Sequence, residues 1–411
     1  MKSYIKKIKN IKDKFAKFNG NEIDNVLDVL NNKNIDYVKK LETHFCKKFK
    51  VKYAIACNSG TSGLHSALAA LNLKKDDEVI VPGLTVVMDA YAALHLGATP
   101  IFADVDEETY LITAESIKKK LSKRTKAIIV VSLQGMPVDI DPIIKLAKKR
   151  NIFVIEDNAQ DMLGKYKGKI SGINGDISVW SFENKKHLSG ATEGGIITTN
   201  KKKLAEKIRK FAGIGYKNMT ANGGRTSLAI STVQDPNYER FDTVGLNYRM
   251  PQIVAAVCCA QLKNVKKIVQ RRIKVANYFS EAIKDSKLLI EQKKSKNINH
   301  SHYTFSAKLI DDNKKKWKDI YNLYKSKTGH GFYGACVCPH LEPAIKTHMR
   351  RTGCFNCRKI STGCFCTKKG FLPVAEKIQK QILQFKTNYR NLNEAKKNSK
   401  ILKKLLREIE I

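Results

Sequence analysis

Residues 181–190 read SFENKKHLSG, which sets a hydroxyl, two amines and an imidazole within seven positions. The preceding DISVW (176–180) reads as an apolar strand, so the segment delivers these groups at a strand end. A hydroxyl there can help to bind a phosphate, and an amine can condense with a carbonyl. Ser181 and Lys186 are five residues apart, but on local sequence Lys185 could claim the same role. In so basic a chain the lysine pair could equally be solvated surface.

Three other stretches carry groups of the same kind. In NSGTSGLHSALAAL (58–71), Leu64, Ala67, Leu68 and Leu71 fall at helical spacing, so a helix buries that face. Just ahead stands Ser59-Gly60-Thr61-Ser62-Gly63, small residues that let backbone N–H groups and the positive helix end meet an anion. A glycine-rich helix cap would look the same. In VIEDNAQ (154–160) an apolar strand ends in Glu156-Asp157, with Gln160 three residues on. A carboxylate at that point suits a ring nitrogen that must stay protonated, and it also suits a helix N-cap. In VGLNYRMPQIVAA (244–256), Asn247, Tyr248 and Arg249 stand ahead of a helix, as a polar anchor for an anion or as a simple cap.

The elements that must position these groups alternate. EVIVP (78–82), TPIFADVD (99–106), KAIIVVS (126–132), NIFVIED (151–157), DISVWSF (176–182) and GGIITTN (194–200) read as strands. Between several of them lie helix patterns such as DPIIKLAKKR (141–150), with Asp141 as N-cap and Pro142 in the first turn. Near-continuous apolar strands separated by helices predict an α/β domain with a mostly parallel sheet, whose ligand lies at the carboxyl ends of the strands. A long helix is expected from about residue 251 to 269, and helices again in PVAEKIQKQILQF and EAKKNSKILKKLLREI. The expected division is a basic N-terminal extension (1–17), a large domain (18–265) and a smaller α+β domain (266–411).

Composition narrows the class. The chain has 411 residues, 42% of them hydrophobic, enough for two domains with cores of their own. No apolar run reaches the roughly 18 residues of a membrane span, and the N-terminus lacks the apolar core of a secretory signal, so a cytoplasmic address is expected. The net charge of +38 would suit nucleic acid. However, its lysines are spread along the whole chain, and no groove-reading motif accompanies them. A basic surface that attracts anionic small molecules is the expectation, with neither nucleic acid nor membrane as partner. Of ten cysteines, Cys354, Cys357, Cys364 and Cys366 stand close enough to hold zinc. Their pairs lie nearer together than a zinc ribbon's, so reduced thiols and no metal are expected.

In this order and with these intervals, the stretches resemble one family, the DegT/StrS-type sugar aminotransferases, pyridoxal-phosphate enzymes of fold type I. The resemblance runs from about residue 20 to the end. NSGTSGL resembles the family's S-G-T loop, DEVIVPGLTVV its strand and P-x-x-T turn, and EDNAQ its D-A-A-Q segment. SFENKKHL is similar to S-F-x-x-x-K, GLNYRMPQIVAAV to the N-Y-R-M helix entry, and GFLPVAEKIQKQILQF to a later family segment. The resemblance implies pyridoxal 5'-phosphate as cofactor, held covalently by Lys186, which also moves the proton during amino transfer. It further implies that Asp157 pairs with the ring nitrogen and Gln160 touches the ring hydroxyl side. Gly60, Thr61 and Ser181 would hold the phosphate together with Asn247 of a second subunit, which makes a homodimer with shared active sites. The implied reaction carries an amino group from glutamate to a nucleotide-linked keto-sugar, in amino-sugar and surface-polysaccharide synthesis. Relatives that remove a hydroxyl carry histidine in the slot of Lys186. Three departures stand out: Val86 where the family has an aromatic over the ring, an added residue in Ala191-Thr192-Glu193-Gly194-Gly195, and the cysteine-rich segment where the family shapes its substrate pocket. A cyclitol ketone as acceptor, or a non-catalytic relative that only binds cofactor or sugar, are the alternative readings.

Overall fold

The structure is a computed structural model that describes residues 18, 21–223, 229–294, 297–311, 314–331, 336–352 and 365–410. Its centre is a seven-stranded sheet built from β1 (Tyr53–Cys57), β2 (Glu78–Pro82), β3 (Thr99–Ala103), β4 (Thr125–Val131), β5 (Phe153–Asp157), β8 (Ile177–Ser181) and β9 (Gly195–Thr199). Between β5 and β8 a small hairpin, β6 (Lys165–Tyr166) and β7 (Lys169–Ile170), leaves the sheet. The strand order is β1-β9-β8-β5-β4-β2-β3. All neighbours from β3 to β8 pair in parallel, and β9 alone runs antiparallel, to both β8 and β1. Helices cover the sheet, so its strands are buried on both faces and carry the unbroken apolar runs seen in the sequence.

Six of the seven strands fall where the apolar runs predicted them. β1, YAIAC, was not among them; it is short, and nothing in its pattern separates it from the helix before it. Three expected boundaries move. The helix expected from 141 spans Ile140–Lys148 with Asp139, not Asp141, at the N-cap, and Pro142 stays in the first turn. The long helix runs from Gln252 to Ile283, well past 269, because its apolar stripe continues through Val275, Phe279 and Ile283. PVAEKIQKQILQF is not one helix: it is a helix over Pro373–Gln379, a two-residue turn, then strand β13 (Ile382–Lys386). Pairing with β12 (Thr304–Leu309) takes the ILQF segment out of the helix, and β10 (Leu289–Glu291) completes that three-stranded antiparallel sheet.

The long helix joins two apolar clusters. Its first half packs Ala255, Cys259, Leu262 and Val265 against Phe45, Trp180 and Phe182. Its second half packs Val275, Phe279 and Ile283 against Phe305, Phe385, Leu402 and Leu406. The late segment containing Leu372, Ala375 and Ile378 joins the core of the large sheet instead. Asp104, just past β3, fixes it by accepting the N–H groups of Val374 and Ala375 at 3.1 and 2.8 Å. Of the cysteine cluster, Cys354, Cys357 and Cys364 lie outside the described residues, and Cys366 is buried against the large-sheet core.

Candidate active site

The carboxyl ends of β1, β2, β4, β5 and β8 open on one side of the sheet, where a doubly wound fold places its ligand. Ser59 caps the helix Gly60–Ala69. Its side chain takes the N–H of Ser62, and the Ser62 hydroxyl takes the N–H of Ser59, both at 3.1 Å. That reciprocal cap satisfies the outer two of the four donors at a helix start, which leaves the N–H groups of Gly60 and Thr61 as the pair turned outward. Gly60 is required here by contact. A Cβ on it would stand 2.9 Å from the Ser181 Cβ, so only glycine lets the helix end meet the hydroxyl that terminates β8. Gly63, one turn on, would put a Cβ 2.7 Å from Val179, which lets the helix lie directly on the same strand.

Asp157 ends β5 and is buried. Its Oδ1 accepts the Ala159 N–H at 2.8 Å. Burial raises its pKa, against the Ala159 hydrogen bond and the charge of Lys186, both of which favour the anion. Lys186 sits with its Nζ 4.7 Å from the centre of the Tyr303 ring. Burial lowers its pKa, with Asp157 and Glu183 opposing, so the neutral, nucleophilic amine is reached at a lower pH than for an exposed lysine. Lys185, its rival, is exposed, and its backbone N–H is held by the Glu183 carboxylate at 2.9 Å. The structure therefore separates the two lysines that local sequence left equivalent. The neighbouring His187 is buried, and its Nε2 donates to the Ser301 carbonyl at 3.0 Å. Gln160 comes in from the turn after β5, its Oε1 accepting the Gln134 N–H at 2.7 Å. Gln134 itself holds a left-handed φ of 62°, and both its side-chain amide atoms are buried without a hydrogen-bond partner among the described residues.

Gly60, Ser181, Asp157, Lys186 and Gln160 thus all follow the carboxyl ends of β1, β5 and β8, with Thr61 exposed on the helix end. Asn247 is not part of that group within a single chain. It is exposed, and its side chain accepts the Arg249 Nε–H at 3.0 Å. Its backbone bridges to Gly213, while that of Arg249 bridges to Cys57 at the end of β1.

Sequence reasoning missed several groups here. Arg272, from the second half of the long helix, is buried and donates to the carbonyls of Lys185, Lys186 and Tyr303 at 2.7, 3.2 and 2.8 Å. It therefore clamps the lysine loop to the segment that carries the Tyr303 ring. The signal was present: Arg272 falls on the apolar stripe of Val265, Ile268, Val269, Val275 and Ala276, where a cation has no place unless it is paired. Cys336 lies close enough to Lys186 for each to shift the other, and burial pushes its thiol up to about 11. The adjacent Val337 pairs with Thr85 through two backbone hydrogen bonds of 3.2 Å. No pattern in the sequence announces Cys336.

A model of the DegT/DnrJ/EryC1/StrS aminotransferase family matches residues 16–381. The chain belongs to that family. The chain is 38% identical over 271 residues to the GDP-perosamine synthase of Escherichia coli O157:H7, which covers 66% of this chain and 69% of that one. The aminotransferase of Psychrobacter cryohalolentis superposes with a TM-score of 0.81 at 29% identity, over 95% of this chain and 97% of the other. The E. coli GDP-4-keto-6-deoxy-D-mannose-3-dehydratase, solved with bound hydrated pyridoxal phosphate, superposes with a TM-score of 0.78 at 26% identity, over 93% and 96%. This family member is a pyridoxal-phosphate-dependent aminotransferase. Its residues suit that cofactor: Gly60 keeps the space between the helix end and Ser181 clear, and the buried Asp157 carboxylate and the half-buried Lys186 amine are near enough for the amine's charge to act on the acid.

Proposed function

We propose that this chain transfers an amino group from glutamate to a nucleotide-linked keto-sugar, as a step in amino-sugar synthesis for surface polysaccharide. The observation that carries the reading is the half-buried Lys186, its Nζ 4.7 Å from the Tyr303 ring centre and Asp157 a charged neighbour, five residues past the Ser181 that meets a helix end with two N–H groups turned outward. The similarity to a GDP-perosamine synthase supports a nucleotide-linked sugar as acceptor. Lysine at position 186, where hydroxyl-removing relatives are expected to carry histidine, supports amino transfer over dehydration.

When bound, the cofactor supplies an electron-withdrawing ring that spreads the charge developing at the reacting carbon. The rest falls to the chain. Gly60, Thr61 and Ser181 hold the phosphate through the helix-end N–H groups and a hydroxyl. Asp157 would pair with the ring nitrogen and keep it protonated, while Gln160 would touch the ring hydroxyl side. Lys186, whose amine gives up its proton more readily than an exposed lysine's, would hold the cofactor covalently and, when free, would move the proton that amino transfer requires. Arg272 holds the loop so that the amine returns to the same place. In this reading residues 18–265 form the large domain and 266–411 the smaller one. The separate apolar cluster of Phe279, Phe305, Phe385 and Leu402 supports that division, although the helix Gln252–Ile283 crosses it unbroken.

The test is direct. Purified protein given glutamate should release no more than about one 2-oxoglutarate per site by itself, and should turn over repeatedly only when a nucleotide-linked keto-sugar is also present. Lys186→Ala should abolish that release and Lys185→Ala should leave most of it. Failure with GDP-, UDP- and dTDP-linked keto-sugars alike, or loss with Lys185→Ala in place of Lys186→Ala, overturns the reading.

A further inference from the structure

A second carboxyl group lies against Asp157. Asp89, in the first turn of the helix Met88–Leu94, is fully buried, and its Oδ2 accepts the Thr85 hydroxyl proton at 2.7 Å. Its other oxygen, Oδ1, is also buried and receives no ordinary donor among the described residues. A side-chain hydrogen bond joins Asp89 to Asp157. Two buried carboxylates in contact cannot both be ionised, because each charge raises the cost of the other and neither is solvated. A hydrogen bond between them therefore requires one shared proton.

The surroundings decide which acid holds it. Asp157 has the Ala159 N–H at 2.8 Å and the Lys186 ammonium to stabilise its anion. Asp89 has only the Thr85 hydroxyl, and burial followed by the Asp157 charge drives its carboxyl well above the usual range. Lys186 is the charged group that acts on the pair from outside, and its charge disfavours a proton on Asp157, while the charge of Asp157 favours one on Asp89. The hydrogen bonds then run in one direction, from Thr85 to Asp89 and from Asp89 to Asp157.

We propose that Asp89 is a positioning residue: as a neutral acid it donates its proton to Asp157 and so holds that carboxylate ionised and oriented toward the ring nitrogen. The proposal rests on the reading that Asp157 is the ring partner. Thr85 belongs to the P-x-x-T turn, so that turn fixes Asp157 from behind as well as lining the site. An amide should replace the acid, because Asn keeps a donor in the same place; an apolar side chain should not.

The experiment uses wild type, Asp89→Asn and Asp89→Leu, each stripped of cofactor, and measures two quantities. The first is affinity for pyridoxal phosphate, read by absorbance. Asp89→Asn should stay within about threefold of wild type, and Asp89→Leu should bind at least about tenfold more weakly. The second is the melting temperature between about pH 5 and pH 8. An acid whose folded-state pKa is raised favours folding at low pH, and this contribution is lost as pH rises through the folded-state pKa. Wild type should therefore lose stability relative to Asp89→Asn as pH rises, so the gap between their curves widens. If Asp89→Leu does not fold, the wild type–Asn comparison still decides. Parallel melting curves, or an Asn variant that binds cofactor as poorly as the Leu variant, overturn the shared proton. Failure of the ring-nitrogen reading would look different: Asp157→Asn would keep its activity while the pH-dependent gap at Asp89 persisted.

Discussion

Asp157 shows how much one side chain's surroundings decide. An acid at the end of an apolar strand is as suited to capping the next helix as to chemistry, and the sequence offers no ground for choosing. In the structure it caps no helix; it takes a single backbone N–H and lies buried beside Lys186 and Asp89. Asp157→Asn preserves shape and the Ala159 hydrogen bond but removes the anion. Its kcat should fall by orders of magnitude while cofactor remains bound through Lys186. A loss below about tenfold, or about 1.4 kcal/mol of barrier, would mean that the charge does not serve the ring. Ser181 and Asp157 were legible because each ends an apolar run, where a polar residue breaks the pattern; Lys186 was set apart from Lys185 only by the family resemblance, and Gly60 by its place at a helix start. Asp89 and Cys336 were illegible for the opposite reason, and Arg272 showed only as a cation on an apolar stripe, without its partners. Each reaches the site from the side of a helix or a late segment, and only three-dimensional packing assigns its partners.

Among the elements, the helix Gly60–Ala69 and strand β8 form the contact on which the phosphate end depends. The fold was legible at this scale wherever hydrophobic periodicity was long, as in β2, β4, β5 and the helix itself. It was not legible where tertiary pairing overrode local preference: ILQF is strand because Thr304–Leu309 is available beside it. Gly60 lies between these cases. A glycine at a helix start is unremarkable in sequence, and its purpose appears only as the 2.9 Å approach to Ser181. Gly60→Ala should improve helix propensity locally and yet push the helix end off the strand, since a Cβ–Cβ distance of 2.9 Å must open. We expect cofactor affinity to fall at least about tenfold, with a melting loss of only about 1–3 kcal/mol, typical of overpacking. Unchanged affinity in a folded Gly60→Ala protein would show that the phosphate does not sit between this helix end and Ser181.

On the scale of the whole molecule, a single chain leaves its site with one expected member elsewhere. Asn247 is exposed on the stretch that leads into the long helix, among apolar side chains that face solvent: Val244 is 97% exposed, Phe241 51%, Ile253 44% and Leu246 42%. Scattered apolar residues need no explanation, but four within thirteen positions, around a polar anchor expected to serve a phosphate, suit a surface covered by a second copy. A two-fold dimer would bring Asn247 of each subunit to the other's helix end, where its amide adds to the outward N–H groups of Gly60 and Thr61. Each site would then need both chains. Lys186→Ala and Asn247→Ala proteins should each be inactive or nearly so as homodimers. After subunit exchange, a mixed dimer collects both defects in one site and leaves the other intact, so activity should return to about half of the wild-type value per mixed dimer, as simple site counting on a closed two-fold assembly requires. Mass spectrometry of differently tagged subunits establishes that exchange has occurred. Exchange without recovered activity would mean that each chain completes its own site, and the exposed apolar stretch around Asn247 would then need another partner.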